Sequence, residues 1–216
     1  WNSDEAWMRW FRERERSEQG QPVVLLTDQI QVRDNHLGIR PEVDLDDDPL
    51  LLLRIADLAA NRDTTIGRTT LAAIAEHGVQ IPEPWSAEAR QLFAGIFLAG
   101  KPAIDVVEDL DNFGLMSQLL AEWSMVRCKP QRNVMHTYTV DRHLCEAAAN
   151  AAALIDRVVR PDLLVVGTLL HDIGKGYPGD HTEVGMKIIR QIAERMGYSA
   201  NEVAVLVDLC RLHLLL

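Results

Sequence analysis

An apolar helix that must end in two potential metal ligands constrains this chain more than any other stretch of it. Residues 161–170 open with Pro161, which suits a first helical turn, and Asp162, which suits the positive end of a helix. Leu163, Leu164, Val166, Leu169 and Leu170 then supply apolar faces, so the segment predicts a buried helix. It runs directly into His171-Asp172-Ile173-Gly174-Lys175-Gly176, where the glycines end the helix and an imidazole and a carboxylate are delivered to the floor of a cleft on a rigid support. A lone His-Asp pair reads equally well as a polar helix terminus with a C-capping glycine. Its neighbours decide between the two.

His143 lies early in a second predicted helix, residues 140 to about 158, whose Val140, Leu144, Ala147, Ala151, Leu154 and Ile155 recur at helical spacing. His181 follows a turn-rich loop, and Asp180 with Glu183 fits an N-cap and its N3 partner for another helix. His213 closes a helix begun by Ser199 and Glu202 as a capping box and carried by Val203, Leu206, Val207, Leu209 and Cys210. Taken singly, His136, His143, His181 and His213 read as surface or satisfied core histidines. Set around one aspartate, they read as a site. Imidazole with carboxylate suits borderline first-row metals, and an open site of this kind lowers the pKa of water enough to give hydroxide near neutral pH. The chemistry implied is hydrolysis.

These residues resemble the HD-domain metal-dependent phosphohydrolases, whose pattern is a first His, a later His-Asp pair, further histidines and a final Asp. His143, His171 and Asp172 match the first three ligands. The runs His136 to His143, Leu170 to Gly176, Gly179 to Gly185 and His213 to Leu216 resemble more closely the HD domain of the bifunctional PII uridylyltransferase/uridylyl-removing enzymes. The family's final Asp is expected beyond Leu216, and Leu212 stands where some relatives have a second histidine. The helical stretch 50–123 resembles the region that joins the nucleotidyltransferase core to the HD domain in that family. Neither the Gly-Ser and Asp-x-Asp motif of nucleotidyl transfer nor a β-rich ACT segment is recognisable.

The resemblance implies metal-dependent removal of UMP or AMP from a tyrosine of a PII-type signalling protein, with a nucleoside monophosphate as product. His143, His171 and Asp172 would hold a divalent ion (Mn, Mg, Fe or Zn). His181 and His213 would hold a second, or one of them, His181 in the first instance, would donate a proton. Lys175 would set a positive charge beside the phosphate, or else form a surface ion pair. Two alternatives stand beside this reading: a phosphohydrolase of free nucleotides, and a non-catalytic module that binds a PII protein.

The rest of the chain sets the frame. A length of 216 residues, with 47% hydrophobic and 25% charged, fits a globular protein of one or two domains. The expected division is 1–48 as the remnant of a preceding domain, 49–125 as a helical linker bundle and 126–216 as an HD domain truncated at its C-terminus. The formal charge of −10 disfavours nucleic-acid binding, which needs clustered Lys and Arg. Cys128, Cys145 and Cys210 are odd in number and far apart, which argues against disulfides or a thiolate metal site and for a reducing cytoplasm. No apolar run reaches the roughly 18 residues of a membrane helix, and the N-terminus lacks a signal-peptide pattern.

Trp7, Trp10 and Phe11 predict an amphipathic helix over residues 3–17. Residues 23–26 and 29–32 predict a small hairpin or sheet edge, with turns at Thr27-Asp28 and Asp34-Asn35. The acidic run 44–48 reads as a solvated linker in which Asp48 caps a helix opening at Pro49. Apolar periodicity then predicts helices over 50–60, 69–77, 87–99, 103–113 and 115–123, broken by glycine and proline. His77 reads as a helix-end charge and His36 as part of a polar turn. The expected fold is mainly α: a helical bundle followed by an all-α HD domain, with a small β-hairpin near the N-terminus.

Overall fold

The computed structural model describes residues 24–33, 35–130 and 138–214. The expected helix over 3–17 and His136 lie outside them. Strand β1 (Val24–Leu25), β2 (Ile30–Arg33) and β3 (His36–Ile39) form an antiparallel meander, and β4 (Thr65–Ile66) adds in parallel to β3. The expected hairpin is therefore half of a larger sheet. Thr27 explains the first turn: its hydroxyl accepts the N–H groups of Gln29 and Ile30. The second turn carries Asn35 at φ +63°, a left-handed conformation that asparagine tolerates. Ile30, Leu37 and Ile66 turn one face of the sheet into the core. His36, expected in a turn, instead opens β3 and meets Thr65 Oγ1 through Nδ1 at 2.5 Å.

Nine α-helices follow among the described residues. Helix α1 (Leu51–Arg62) starts two residues later than a cap at Asp48 would place it. Asp48 acts through an Asx turn, its Oδ1 accepting the Leu50 N–H at 2.9 Å and its Oδ2 the Arg54 guanidinium at 2.8 Å. Leu51, Leu52, Leu53, Ile55, Ala56, Ala59 and Ala60 bury its inner face. Helix α2 (Arg68–His77) ends at His77, whose ring reaches Asp46 of the acidic run at 3.3 Å. Helix α3 (Ala87–Leu98) is capped by Ser86, and Trp85, Phe93 and Phe97 stack edge to face beneath it.

Helix α4 (Pro102–Asn112) begins with proline in its first turn, as its sequence requires. The helix expected over 115–123 divides: α5 (Leu115–Leu119) stops at an extended Leu120, and a 3-10 turn, Ala121–Met125, follows. That break carries Trp123 into the core, where its indole N–H donates to Asp111 Oδ1 at 3.1 Å.

The remaining helices are α6 (Val140–Ala151), α7 (Pro161–Leu170), α8 (His181–Arg195) and α9 (Ala200–Leu212). Helix α6 is shorter than expected, because Ala152–Arg157 winds as a 3-10 turn that leaves Leu154 exposed and off the apolar stripe. Ser199 and Glu202 do box the start of α9, Glu202 Oε2 accepting from both the N–H and the hydroxyl of Ser199 at 2.7 Å.

Helix α7 is the hub, packed against α3, α6 and α9. Gly167 permits this, since a Cβ there would stand 2.3 Å from Leu209 Cδ1. Burial of Leu163, Val165, Val166, Leu169 and Leu170 fixes the helix whose last turn leads into the His-Asp pair, each side chain contributing about 1.5–3 kcal/mol of transfer free energy. Among the described residues no helix is long and apolar enough to cross a membrane.

Candidate metal centre

Four helix ends converge on one carboxylate. His171 is the C-cap of α7 and Asp172 follows it; His181 is the first residue of α8; His213 is the C-cap of α9; His143 lies in the first turn of α6. Local chemistry sets each end. Asp180 Oδ1 accepts the N–H groups of Thr182 and Glu183 at 2.9 Å, which caps α8. The Val140 N–H donates to Lys129 O and the His143 N–H to Thr139 O, both at 2.9 Å, which starts α6.

The turn after Asp172, Ile173–Gly176, is pressed against the start of α8. A Cβ on Gly174 would lie 1.9 Å from His181 O and 2.6 Å from Gly185 N, so backbone meets backbone there. A Cβ on Gly185 would lie 3.0 Å from Cys210 Sγ of α9 and 3.6 Å from Gly174 N. Two glycines thus let three ligand-bearing segments close on one another.

Asp172 is 2% exposed and, among the described residues, is the charged residue buried in the core. Its oxygens face different partners. Oδ2 meets His143 Nε2 at 3.5 Å, His171 Nε2 at 3.3 Å and Lys175 Nζ at 2.6 Å. Oδ1 meets His213 Nε2 at 3.4 Å and His181 Nε2 at 3.8 Å. Burial works against the charge, but hydrogen bonds from His143, His171 and Lys175 outweigh it and hold the Asp172 carboxyl well below the usual carboxylate range. The group is an anion at neutral pH.

The histidines are oriented by the backbone. His171 Nδ1 lies 2.6 Å from Thr168 O and His213 Nδ1 lies 2.5 Å from Cys210 O. A carbonyl only accepts, so in each ring Nδ1 carries a proton and Nε2 is turned toward Asp172; a metal ion there would take the place of any proton on Nε2, the arrangement in which imidazole serves as a ligand. The rings pack edge to face, His143 on His171 and His171 on His213 at 5.3 Å, and His181 on His213 at 5.7 Å.

These residues fit a divalent ion. Asp172 Oδ1, His181 Nε2 and His213 Nε2 are buried and make no hydrogen bond, a costly arrangement for polar atoms that converge on one point. Two sets of donors offer ligand atoms within 4.8 Å of one another: His143, His171 and Asp172, and Asp172, His181 and His213. Bonds of about 2.0–2.2 Å to a shared ion would put neighbouring ligands roughly 3–3.6 Å apart. His143, His171 and His213 stand within that range of Asp172, and His181 slightly beyond it.

All six residues singled out from the sequence therefore meet at one place. Lys175 pairs with Asp172 inside the site. Leu212 is exposed beside His213. What the sequence reading missed are the supports: the carbonyls of Thr168 and Cys210, the Gly174–Gly185 contact, and Lys129. Gly174 had been visible only as a helix stop. The TxxH and CxxH spacings of the orienting carbonyls carry no side-chain signal.

An all-α domain with histidines from several helices around a His-Asp pair is the signature of an HD domain, and residues 140–215 match that family. The homologues of the chain are bifunctional uridylyltransferase/uridylyl-removing enzymes. It is 47% identical to that of Streptomyces coelicolor over 169 residues, 78% of this chain and 20% of the relative. It is 43% identical to that of Mycobacterium tuberculosis over the same 78%, 21% of the relative. Similarity to that of Legionella pneumophila, 26% over 235 residues, reaches 99% of this chain and 27% of the relative. The chain thus spans about a fifth to a quarter of the length of these relatives.

Proposed function

We propose that this chain hydrolyses the phosphodiester between a tyrosine of a PII-type signalling protein and a nucleoside monophosphate, releasing UMP or AMP. The observation that carries the reading is the buried Asp172 anion, with two imidazole Nε2 atoms facing each of its oxygens. Similarity to enzymes named for uridylyl removal supports a nucleotidyl group as what is released.

In this reading His143, His171 and Asp172 hold a divalent ion, and His181 and His213 complete a second set around the same carboxylate. The chemistry a bound divalent ion supplies is Lewis acidity, which polarises phosphoryl oxygens and makes water more acidic. The side chains do the rest. Asp172, kept ionised and dry, shares its charge between both ligand sets. Where a single ion is held by His143, His171 and Asp172, His181, the most exposed ring of the four, is instead the proton donor to the leaving tyrosyl oxygen. Lys175 keeps an ammonium at the edge of the site, where it meets the phosphate as negative charge develops. Water adds to phosphorus, the tyrosyl oxygen leaves with a proton, and the nucleotide departs as its monophosphate.

The test is release of UMP or AMP from nucleotidylated PII protein by the chain with added manganese, beside its Asp172→Ala variant. Metal-dependent release that disappears in the variant is expected. A folded, metal-loaded chain that releases neither nucleotide overturns the reading, and release of phosphate from free nucleotides instead would move the activity to a different substrate class.

A further inference from the structure

Two parts of the centre, His143 on α6 and His171-Asp172 at the end of α7, come from segments well separated along the chain. The described residues contain a strap that reaches both. It runs from Met125, the last residue of the 3-10 turn Ala121–Met125, to Lys129, and its hydrogen bonds go in two directions.

Toward α6, Lys129 O accepts the N–H of Val140, the first residue of the helix, at 2.9 Å. The Cys128 N–H donates to Asp141 Oδ2 at 2.6 Å. Cys128 takes the left-handed φ of +51° to place that donor, a conformation uncommon outside glycine, asparagine and aspartate. Toward Asp172, Lys129 Nζ donates to Gly176 O at 2.9 Å, 47 residues away along the chain. Gly176 also lies against the strap itself, since a Cβ there would stand 2.8 Å from Met125 Cβ and 2.9 Å from Met125 O. Gly176 ends the turn that begins at Asp172, and the Lys175 N–H closes that turn on Asp172 O at 2.9 Å.

We propose that Lys129 is a positioning residue: its carbonyl starts the helix that carries His143, its ammonium anchors the turn that carries Asp172, and it thereby sets their separation. It touches none of the ligand atoms. A half-buried ammonium bonded to a backbone carbonyl makes a stronger hydrogen bond than a neutral donor would, which suits it to holding a turn against the adjacent backbone. Partners that orient ligands in this way typically change metal affinity by roughly 10–100-fold when removed.

This inference rests on the metal reading above, and its test separates the two. Manganese affinity is measured by the loss of the free-ion paramagnetic resonance signal for the unaltered chain, Lys129→Met and Lys129→Arg, with the cobalt absorption spectrum as a second readout of ligand geometry. Lys129→Met keeps the aliphatic stem and loses the donor; it is expected to bind manganese about 10-fold more weakly and to alter the cobalt spectrum while its helical circular dichroism is retained. Lys129→Arg, which keeps a cationic donor, is expected to recover most of the affinity. If Lys129→Met does not fold, Lys129→Gln, with a neutral donor on a shorter stem, carries the same expectation. Unaltered affinity and spectrum in the folded donor-loss variant overturn the positioning role alone. Absence of metal binding by the unaltered chain overturns the metal reading and this inference with it.

Discussion

Replacing Gly174 with alanine tests whether the closeness of backbone to backbone is what gathers the ligands. The added Cβ would sit 1.9 Å from His181 O, 2.6 Å from Gly185 N and 2.9 Å from Gly185 Cα. None of these is the far end of a flexible side chain, so the turn and the first turn of α8 must part by roughly 1.5 Å before ordinary contact is regained. Overpacking of this kind costs about 1–3 kcal/mol, which for a chain of this size lowers the melting temperature by roughly 2–12 °C.

The direction of the movement matters more than its energy. His181 and Gly185 belong to α8 and Asp172 to the turn, so separation pulls His181 from Asp172 Oδ1, already its most distant partner at 3.8 Å. His143 and His171 face Oδ2 and are less affected. Gly114→Ala is the control. Its φ of +72° makes alanine strained, about 1 kcal/mol, but nothing lies within 4 Å of the added Cβ, and the position is remote from the site in sequence. The assay is thermal denaturation together with manganese titration. Both variants should melt earlier, and Gly174→Ala alone should lose metal affinity. Equal metal binding in the two would refute the argument that this contact builds the site.

Other predictions follow from the burial of particular groups. Cys128 is exposed, whereas burial pushes the thiol of Cys145 up and that of Cys210 up to about 11. A thiol reagent at pH 8 should therefore modify one cysteine rapidly in the native chain and all three in denaturant; a fast second equivalent would show that α6 or α9 opens readily. Burial alone would raise the carboxyl of Glu122, but the paired hydrogen bonds from Arg195, at 2.8 and 2.7 Å, bring it below its usual value. Its contribution to stability is therefore complete above the ordinary glutamate range near pH 4.3 and is lost as pH falls through the lowered folded value. Arg195→Met should cost about 1–3 kcal/mol at pH 7, and the gap between the two melting curves should narrow from pH 6 to pH 3; a gap independent of pH would contradict the pairing.

What could be read from the sequence was local. The apolar run of α7 and its His-Asp terminus, Asp180 as an N-cap, and the Ser199–Glu202 box all depend on residues within a few positions of one another, and each was legible as spacing. The pairing of β3 with β4 joins His36 to Thr65, and no periodicity spans that interval. The 3-10 turns after α5 and α6 were read as continued helix, because their apolar residues keep a helical period while the backbone tightens. At the centre, the ligands were visible as residue types, but their supports were not. Gly174 and Gly185 matter for a contact between segments, and Lys129 for a carbonyl 47 residues away.

The central claim is that Asp172 joins both sets of donors around bound metal. Its most direct test is the divalent metal content per chain, by elemental analysis after equilibration with manganese or zinc, of the unaltered chain and Asp172→Ala, with far-ultraviolet circular dichroism on both. Metal retained by the first and lost from the second, at unchanged helix content, is the predicted result. Equal metal content in the two would contradict it.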